Sequence, residues 1–404
     1  MIKRINKHFP SLDANVILLG IVSFLTDVSS EMVFPILPIF LTSVLGAPVA
    51  VVGIIEGIAE FTANIGKMLS GIYSDKIGKR RPFVILGYGL SSITKPFFAL
   101  ATAWPHVLAV RFTDRVGKGL RVSARDAMVA DYTPKSILGK AFGYRKMMDS
   151  LGAVLGPLIV FFLLPFLLAS NSLESSYRII FALSIIPAAL AVFLLFFIKE
   201  KEKAKSKTSK PWKLEFSTLP SSFKRNLFVS FIFFLGAFNY AFLILRAQDL
   251  NVALPLIPLF YILYNSVYAV SAIPAGSLSD KIGRKPVILL GCLAFLISSL
   301  GMGIITNSIW LWLLFPLYGI YMAIFETVQR ALIADTVHEE FRGSALGIYY
   351  GATGLAALGS GVIGGLLWDV MIFGMRGTFL FGGITAFVSL ILFALFLRTE
   401  RVKA

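Results

Sequence analysis

Gly71-Ile72-Tyr73-Ser74-Asp75-Lys76-Ile77-Gly78-Lys79-Arg80 returns 205 positions later as Gly276-Ser277-Leu278-Ser279-Asp280-Lys281-Ile282-Gly283-Arg284-Lys285. About half the chain separates the copies, and each lies between long apolar stretches. Two further landmarks repeat at an offset of 204. Arg125-Asp126-Ala127-Met128-Val129-Ala130-Asp131 matches Gln329-Arg330-Ala331-Leu332-Ile333-Ala334-Asp335, and Gly143 matches Gly347. Three landmarks in one order mark an internal duplication. A membrane protein built twice from one unit is the signature of a transporter that rocks one half against the other.

Composition supports a membrane setting. Of 404 residues, 57% are hydrophobic, and the mean hydropathy is +0.80. A soluble domain seldom reaches that, because most of its surface must face water. Apolar runs of roughly 20 residues, each able to cross a bilayer core, recur from end to end. We place twelve spans at 15–43, 48–70, 83–102, 105–130, 138–168, 178–198, 226–246, 253–275, 287–305, 308–334, 342–368 and 376–398. The expected fold is all-α and polytopic, with two pseudo-symmetric six-helix bundles. The alternating segments of ~10 residues that a β-barrel needs are absent. Residues 1–198 form the first bundle, 199–225 a basic linker broken by Pro211 and Pro220, and 226–404 the second bundle.

The net charge of +16 is distributed as a topology signal. Lys and Arg gather around 76–81, 199–213 and 281–285, whereas the loops around 45–50, 103–106 and 306–308 carry none. The basic loops and both termini are therefore expected in the cytoplasm of a multi-pass cell-membrane protein. This alternation argues against a nucleic-acid partner. Lys3, Arg4 and Lys7 precede an apolar run without a small-residue cleavage pattern, which reads as a retained first span. Cys292 is the only cysteine, and His8, His106 and His338 show no metal spacing. No phosphate-binding loop of the Gly-x-x-x-x-Gly-Lys-Ser/Thr type is present. No metal, cofactor or enzymatic activity is expected.

With these residues in place, the chain resembles the major facilitator superfamily over essentially its whole length. The duplicated Gly-x-x-x-Asp-Lys-x-Gly segment resembles that family's motif between spans two and three. Its residues here are Gly71, Asp75, Gly78, Lys79 and Arg80, then Gly276, Asp280, Gly283, Arg284 and Lys285. Arg111-Phe112-Thr113-Asp114-Arg115-Val116-Gly117-Lys118-Gly119 resembles the span-four pattern Arg-Phe-x-Gln-Gly-x-Gly-x-Gly, with Asp114 for Gln and Arg115 for the first Gly. Gly143, Gly152, Gly156 and Pro157 resemble the span-five motif of proton-linked exporters, although its closing Gly-Gly is Val160-Phe161 here. The second half has Gly361-Val362-Ile363-Gly364-Gly365. The resemblance implies the fold and transport by alternating access. It also implies that spans one and four line a central cavity, with span two at the seam between halves.

The duplicated loop has a physical reading of its own. Gly71 and Gly276 are expected to permit close helix approach. Asp75 can accept charge-assisted hydrogen bonds. Lys79 and Arg80 can reach Asp126 or Asp131, and the cluster would latch the two halves on the cytoplasmic side.

Ionisable residues inside spans are costly and mark function or pairing. Asp27 and Glu31 are four apart in span one and share a face. Glu56, Glu60, Asn64 and Lys67 in span two fall within ~80° of one another at ~100° per residue. Arg111, Asp114, Arg115, Lys118, Arg121, Arg125 and Asp126 occupy an arc of ~140° on span four. Span five adds Arg145 and Asp149. Lipid-facing charges at mid-membrane depth would cost at least ~2.5–3.5 kcal/mol each, so these faces must turn inward. We place proton and substrate coupling on Asp27, Glu31, Glu56, Glu60, Arg111, Asp114, Arg115 and Lys118. Asp27 and Glu31 are the expected proton carriers, with Arg111 or Arg115 as switching partners. For Glu60, Lys67, Arg121, Arg145 and Asp149, permanent ion pairing is an equal alternative.

The second half carries aromatic polar surface instead. Asn239, Tyr240, Tyr261, Tyr264, Asn265, Tyr268, Tyr318 and Tyr321 are the candidate cavity residues there. Flat apolar area with a hydrogen-bonding tip suits an amphipathic organic solute, and ordinary helix packing is the equal alternative for this stripe. The leading expectation is proton-coupled efflux of small amphipathic organic solutes. The alternatives are proton-coupled import of an organic anion and a membrane sensor or lipid-handling protein. The expected partners are a small molecule, protons and the lipid bilayer, and the chain is expected to be a monomer.

Overall fold

The structure is a computed structural model that describes residues 12–77, 79–198, 219–338, 342–370, 372 and 374–397. Gly78, the Asp75 side chain and most of the basic linker lie outside the described residues.

Caps and prolines set where each span starts and breaks. The Asp13 carboxylate accepts the Asn15 amide at 2.7 Å and opens span one, Ala14–Val33. Pro35 and Pro38 interrupt it, and the turns Leu37–Ile39 and Phe40–Val44 complete the crossing. Span two is Val49–Ile77, span three Arg81–Ala99, span four Trp104–Asp131 and span five Leu138–Leu168. Pro82 and Pro105 sit in the first turns of spans three and four, where a missing N–H does no harm. Span six is two helices, Leu173–Leu183 and Ile185–Leu195, parted at Ser184 just ahead of Pro187. Span seven is Ser221–Gly236 and Tyr240–Asp249. The rest are Ile257–Ile282, Arg284–Ile304, Leu311–Asp335, Arg342–Asp369 and Gly374–Phe396, spans eight to twelve.

This is the twelve-span all-α architecture expected from hydropathy. Ten of the spans are long and apolar enough to cross a membrane by composition. Spans three and four fall outside that set, and span four is the one most loaded with charge. Span seven differs from its expected continuous run. Asn239 caps the second piece by accepting the Ala241 amide at 3.0 Å, so the helix restarts inside the stretch 226–246, whose hydropathy predicts no break.

Two compact units emerge. One holds the described residues of 1–37 and 62–209, the other those of 38–61 and 210–404. In the first unit, glycines bring helices to backbone contact. A Cβ on Gly87 would stand 2.6 Å from the Gly117 carbonyl oxygen, joining spans three and four. One on Gly66 would stand 2.8 Å from Gly119 Cα, joining spans two and four. In the second unit the core is aromatic. Phe233 stacks on Phe325 at 4.1 Å and meets Phe295 edge-on at 5.3 Å. Phe162, Phe166, Ile273 and Leu395 are exposed, as lipid-facing side chains are.

The duplicated loop is tight for a different reason from the one expected. A Cβ on Gly276 meets nothing within 4 Å, and one on Gly71 makes only an ordinary 3.6 Å contact with Ser123. Neither glycine is a close-approach point. The backbone instead needs Gly283, whose φ of +92° is open to glycine and strained for other residues. Gly276→Ala should therefore be tolerated. It should gain up to about 0.5–1 kcal/mol from helix propensity, read as an unchanged or slightly raised melting temperature.

Candidate functional site

The first unit encloses a cluster of charges centred on Asp114. Asp114 is 3% exposed, and its Oδ1 accepts the Ser91 hydroxyl from span three. Arg111 Nη1 and Arg115 Nε each lie 3.9 Å from its Oδ2. Both guanidinium groups lie over the Phe34 ring of span one, at 3.9 and 4.9 Å from its centroid. One turn beyond Ser91 stands Lys95, 1% exposed, whose ammonium donates to the Thr26 carbonyl at 3.2 Å. The charges acting on it are Asp114, Arg121, Asp27 and Glu31. Lys95 thus lies within the field of both the acids of span one and the carboxylate of span four. The motif and spacing arguments pass over Lys95 and Phe34. The rule that a charge inside an apolar run is functional would have found Lys95, whereas Phe34 carries no such signal.

Asp27 and Glu31 are half-buried beside span five, and the span-five glycines explain their placement. A Cβ on Gly152 would stand 2.7 Å from the Phe24 carbonyl oxygen and 2.9 Å from Asp27 Cβ. One on Gly156 would stand 2.7 Å from both the Val28 carbonyl oxygen and Glu31 Cβ. Pro157 is buried in the same helix, while Gly143 is exposed and meets nothing within 4 Å. The span-four bases acting on Asp27 are Arg121, Lys118 and Arg125, with Asp149 adding a like charge from span five. Arg111 and Arg115, the expected partners of the acids, flank Asp114, because they sit within one turn of it.

A second network lies towards the 131 end of span four. Arg125 donates to Asp126 at 3.0 Å and to Ser23 at 2.9 Å, and Arg145 donates to Asp149 at 2.7 Å. Arg121 lies over the Tyr88 ring at 4.6 Å. These residues tie spans one, three, four and five together. Glu56, buried, and Glu60, half-buried, belong to the part of span two that packs in the second unit.

In the second unit the tyrosines form one ring-to-ring chain across three spans. Tyr240 meets Tyr261 at 5.2 Å, Tyr261 meets Tyr264 at 5.0 Å, Tyr264 meets Tyr318 at 5.6 Å, and Tyr318 meets Tyr321 at 5.1 Å. Tyr318 donates to the Phe238 carbonyl at 3.0 Å, and the Asn265 amide turns back to the Tyr261 carbonyl at 3.1 Å. Tyr261, Tyr264, Tyr318 and Tyr321 are buried in this packing, whereas Asn239, Tyr240, Asn265 and Tyr268 remain half-buried.

The duplicated loops hold ion pairs of the same design. Arg80 pairs with Asp131, and Arg284 pairs with Asp335 at 3.1 Å, each across 51 residues. Arg284 also reaches Asp280 at 2.5 Å, and Lys79 is exposed. Both pairs close within one unit, joining the loop to span four or span ten. Of the two acids expected within its reach, Asp126 and Asp131, Arg80 takes Asp131, the last residue of span four.

Comparison with known proteins agrees with this architecture. Residues 19–245 and 226–404 each match the profile of the Major Facilitator Superfamily. The chain belongs to the Major Facilitator Superfamily. The transporter is 39% identical over 390 residues to an uncharacterised MFS-type transporter of Methanocaldococcus jannaschii, covering 95% of both chains. It is 37% identical over 127 residues to the multi-drug resistance efflux pump PmrA of Streptococcus pneumoniae, covering 31% of each. In fold it is similar to the crystal structure of the nucleoside transporter NupG, with a TM-score of 0.73 at 16% identity, covering 95% of this transporter and 98% of that chain. It is therefore a multi-pass membrane transporter of the superfamily.

Proposed function

We propose that this transporter couples proton movement to the efflux of small amphipathic organic solutes across the cell membrane, by alternating access. The observation that carries the reading is the seating of Asp27 and Glu31 against Gly152 and Gly156, with buried Lys95 and Asp114 alongside. A carboxylate holds or releases a proton according to the bases near it, so helix movement that changes those bases couples protons to the cycle. The half-buried Tyr240 and Tyr268 offer an amphipathic face for the solute. Partial similarity to a protein named as a multi-drug efflux pump supports the outward direction.

The test uses proteoliposomes containing a trapped pH indicator, with ethidium as a model amphipathic solute. Asp27→Asn and Glu31→Gln should each cut pH-gradient-driven ethidium movement by more than about tenfold, the scale of a lost coupling group, with unchanged melting temperature. Wild-type pH dependence in both variants would remove the proton assignment.

Import of an organic anion is the second reading. Spans one, three and four carry Lys95, Arg111, Arg115, Lys118, Arg121 and Arg125 against Asp27, Glu31, Asp114 and Asp126. That positive surplus would suit an anionic solute, and benzoate in place of ethidium separates the two.

A further inference from the structure

The second unit has an apolar groove of about 400 Å³ between spans eight, nine and ten, distant in the chain from the charge cluster of spans one to five. Its floor on span eight is Ser271, Pro274, Ala275 and Leu278. Val287, Leu290 and Ile297 on span nine and Ile320 on span ten are among its walls. Only Ser271 among its lining residues has a polar side chain, so nothing in the groove recognises a polar solute.

One end of the groove is charged. The span-eight residues recur at spacings of three and four, and the next position on that face is Lys281. The Gly283 turn brings Lys285 at the start of span nine to the same end. Among the described residues, two acids stand there, and both bind Arg284: Asp280 at 2.5 Å and Asp335 at 3.1 Å. Arg284 also donates to Ser279 at 2.7 Å. Lys281 is exposed and Lys285 half-buried, and neither forms an ion pair among the described residues. An apolar channel that opens onto two uncommitted ammonium groups at a membrane edge is complementary to a molecule with a fatty chain and an anionic head.

We propose that this groove is a binding site for one anionic glycerophospholipid, with an acyl chain between spans eight, nine and ten and its phosphate at Lys281 and Lys285. The lysine stems extend the apolar floor while their ammonium groups reach headgroup depth. Arg284, held by its two aspartates, fixes the loop that presents them. The duplicated motif thereby has a second role in this half, distinct from tying the loop to span ten. A lysine near an anionic headgroup is worth roughly fivefold in affinity, so two predict a preference of roughly 25-fold over a zwitterionic lipid.

The test is native mass spectrometry of the full chain, delipidated in detergent and offered equal phosphatidylglycerol and phosphatidylcholine. Wild type should retain one phosphatidylglycerol in strong preference. The double variant Lys281→Gln/Lys285→Gln should lose the preference but keep weak binding of either lipid. Ser271→Trp, which fills the groove, should lose both. Should that variant not fold, Leu293→Trp serves, at a lining residue 42% exposed. Inorganic phosphate at millimolar concentration should not displace the lipid. Equal retention of the two lipids by wild type, an unchanged preference in the double variant, or full displacement by phosphate would each overturn the proposal.

Discussion

Gly361→Leu should reduce solute flux by about tenfold or more while each bundle remains folded. Gly361 packs directly on Gly53, so that a Cβ on either would overlap the other's carbonyl oxygen. The same crossing continues on both sides. A Cβ on Gly57 would stand 3.0 Å from Leu358 Cα, and one on Gly365 would stand 2.5 Å from Ala50 Cα. Asp369 closes the end of the crossing, accepting the Val49 amide at 3.1 Å and the Ala50 amide at 2.7 Å. A leucine side chain has no space there. Overpacking costs about 1–3 kcal/mol, and about 1.4 kcal/mol shifts an equilibrium tenfold. The state in which spans two and eleven touch would lose population accordingly. The only native cysteine, Cys292, is buried, so Val49→Cys is a clean reporter. A membrane-impermeant maleimide should label it about tenfold faster in the Gly361→Leu background than with the native glycine. Equal labelling and equal flux would show that this crossing is not part of the cycle.

Asp114→Asn should be the most destabilising single substitution in the charge cluster. Asparagine keeps an acceptor for the Ser91 hydroxyl but removes the negative charge facing Arg111, Arg115 and Lys95. Breaking a buried pair from one side costs about 3–5 kcal/mol because the remaining charge is left uncompensated. For a bundle of this size that corresponds to a melting temperature lower by roughly 10 °C. Pairing it with Arg115→Met should recover part of the loss, since an apolar replacement removes the orphaned charge. A melting temperature within about 2 °C of wild type, well below the shift expected for a broken buried pair, would mean that Asp114 is not the centre of the cluster.

Particular residues show how far the chain could be read in advance. The twelve spans were legible because a bilayer demands long apolar helices whatever surrounds them. The 51-residue pairs Arg80–Asp131 and Arg284–Asp335 are the duplication made visible, and the repeated motifs had already placed these residues. Gly152 and Gly156 were legible as a motif, but their contact with Asp27 and Glu31 was not, since nothing in span five indicates the register of span one. Lys95 escapes motif and spacing arguments because it stands alone in an apolar run, unlike the crowded charges of span four. The tyrosine stripe of span eight was legible as a helical face. Its partners Tyr240 and Tyr318 come from other spans, and only their rings show that much of the stripe is packing.

The sequence by itself determined the class of this protein: a duplicated, all-helical membrane transporter with charge in one half and aromatic surface in the other. Those properties follow from local hydropathy and repeat spacing, which need no knowledge of neighbours. Tertiary structure decided which charges meet, which glycines touch and which tyrosines are sealed. Each of these depends on the rotation and register of one helix against another, and those are set by side-chain fit between segments far apart in the chain.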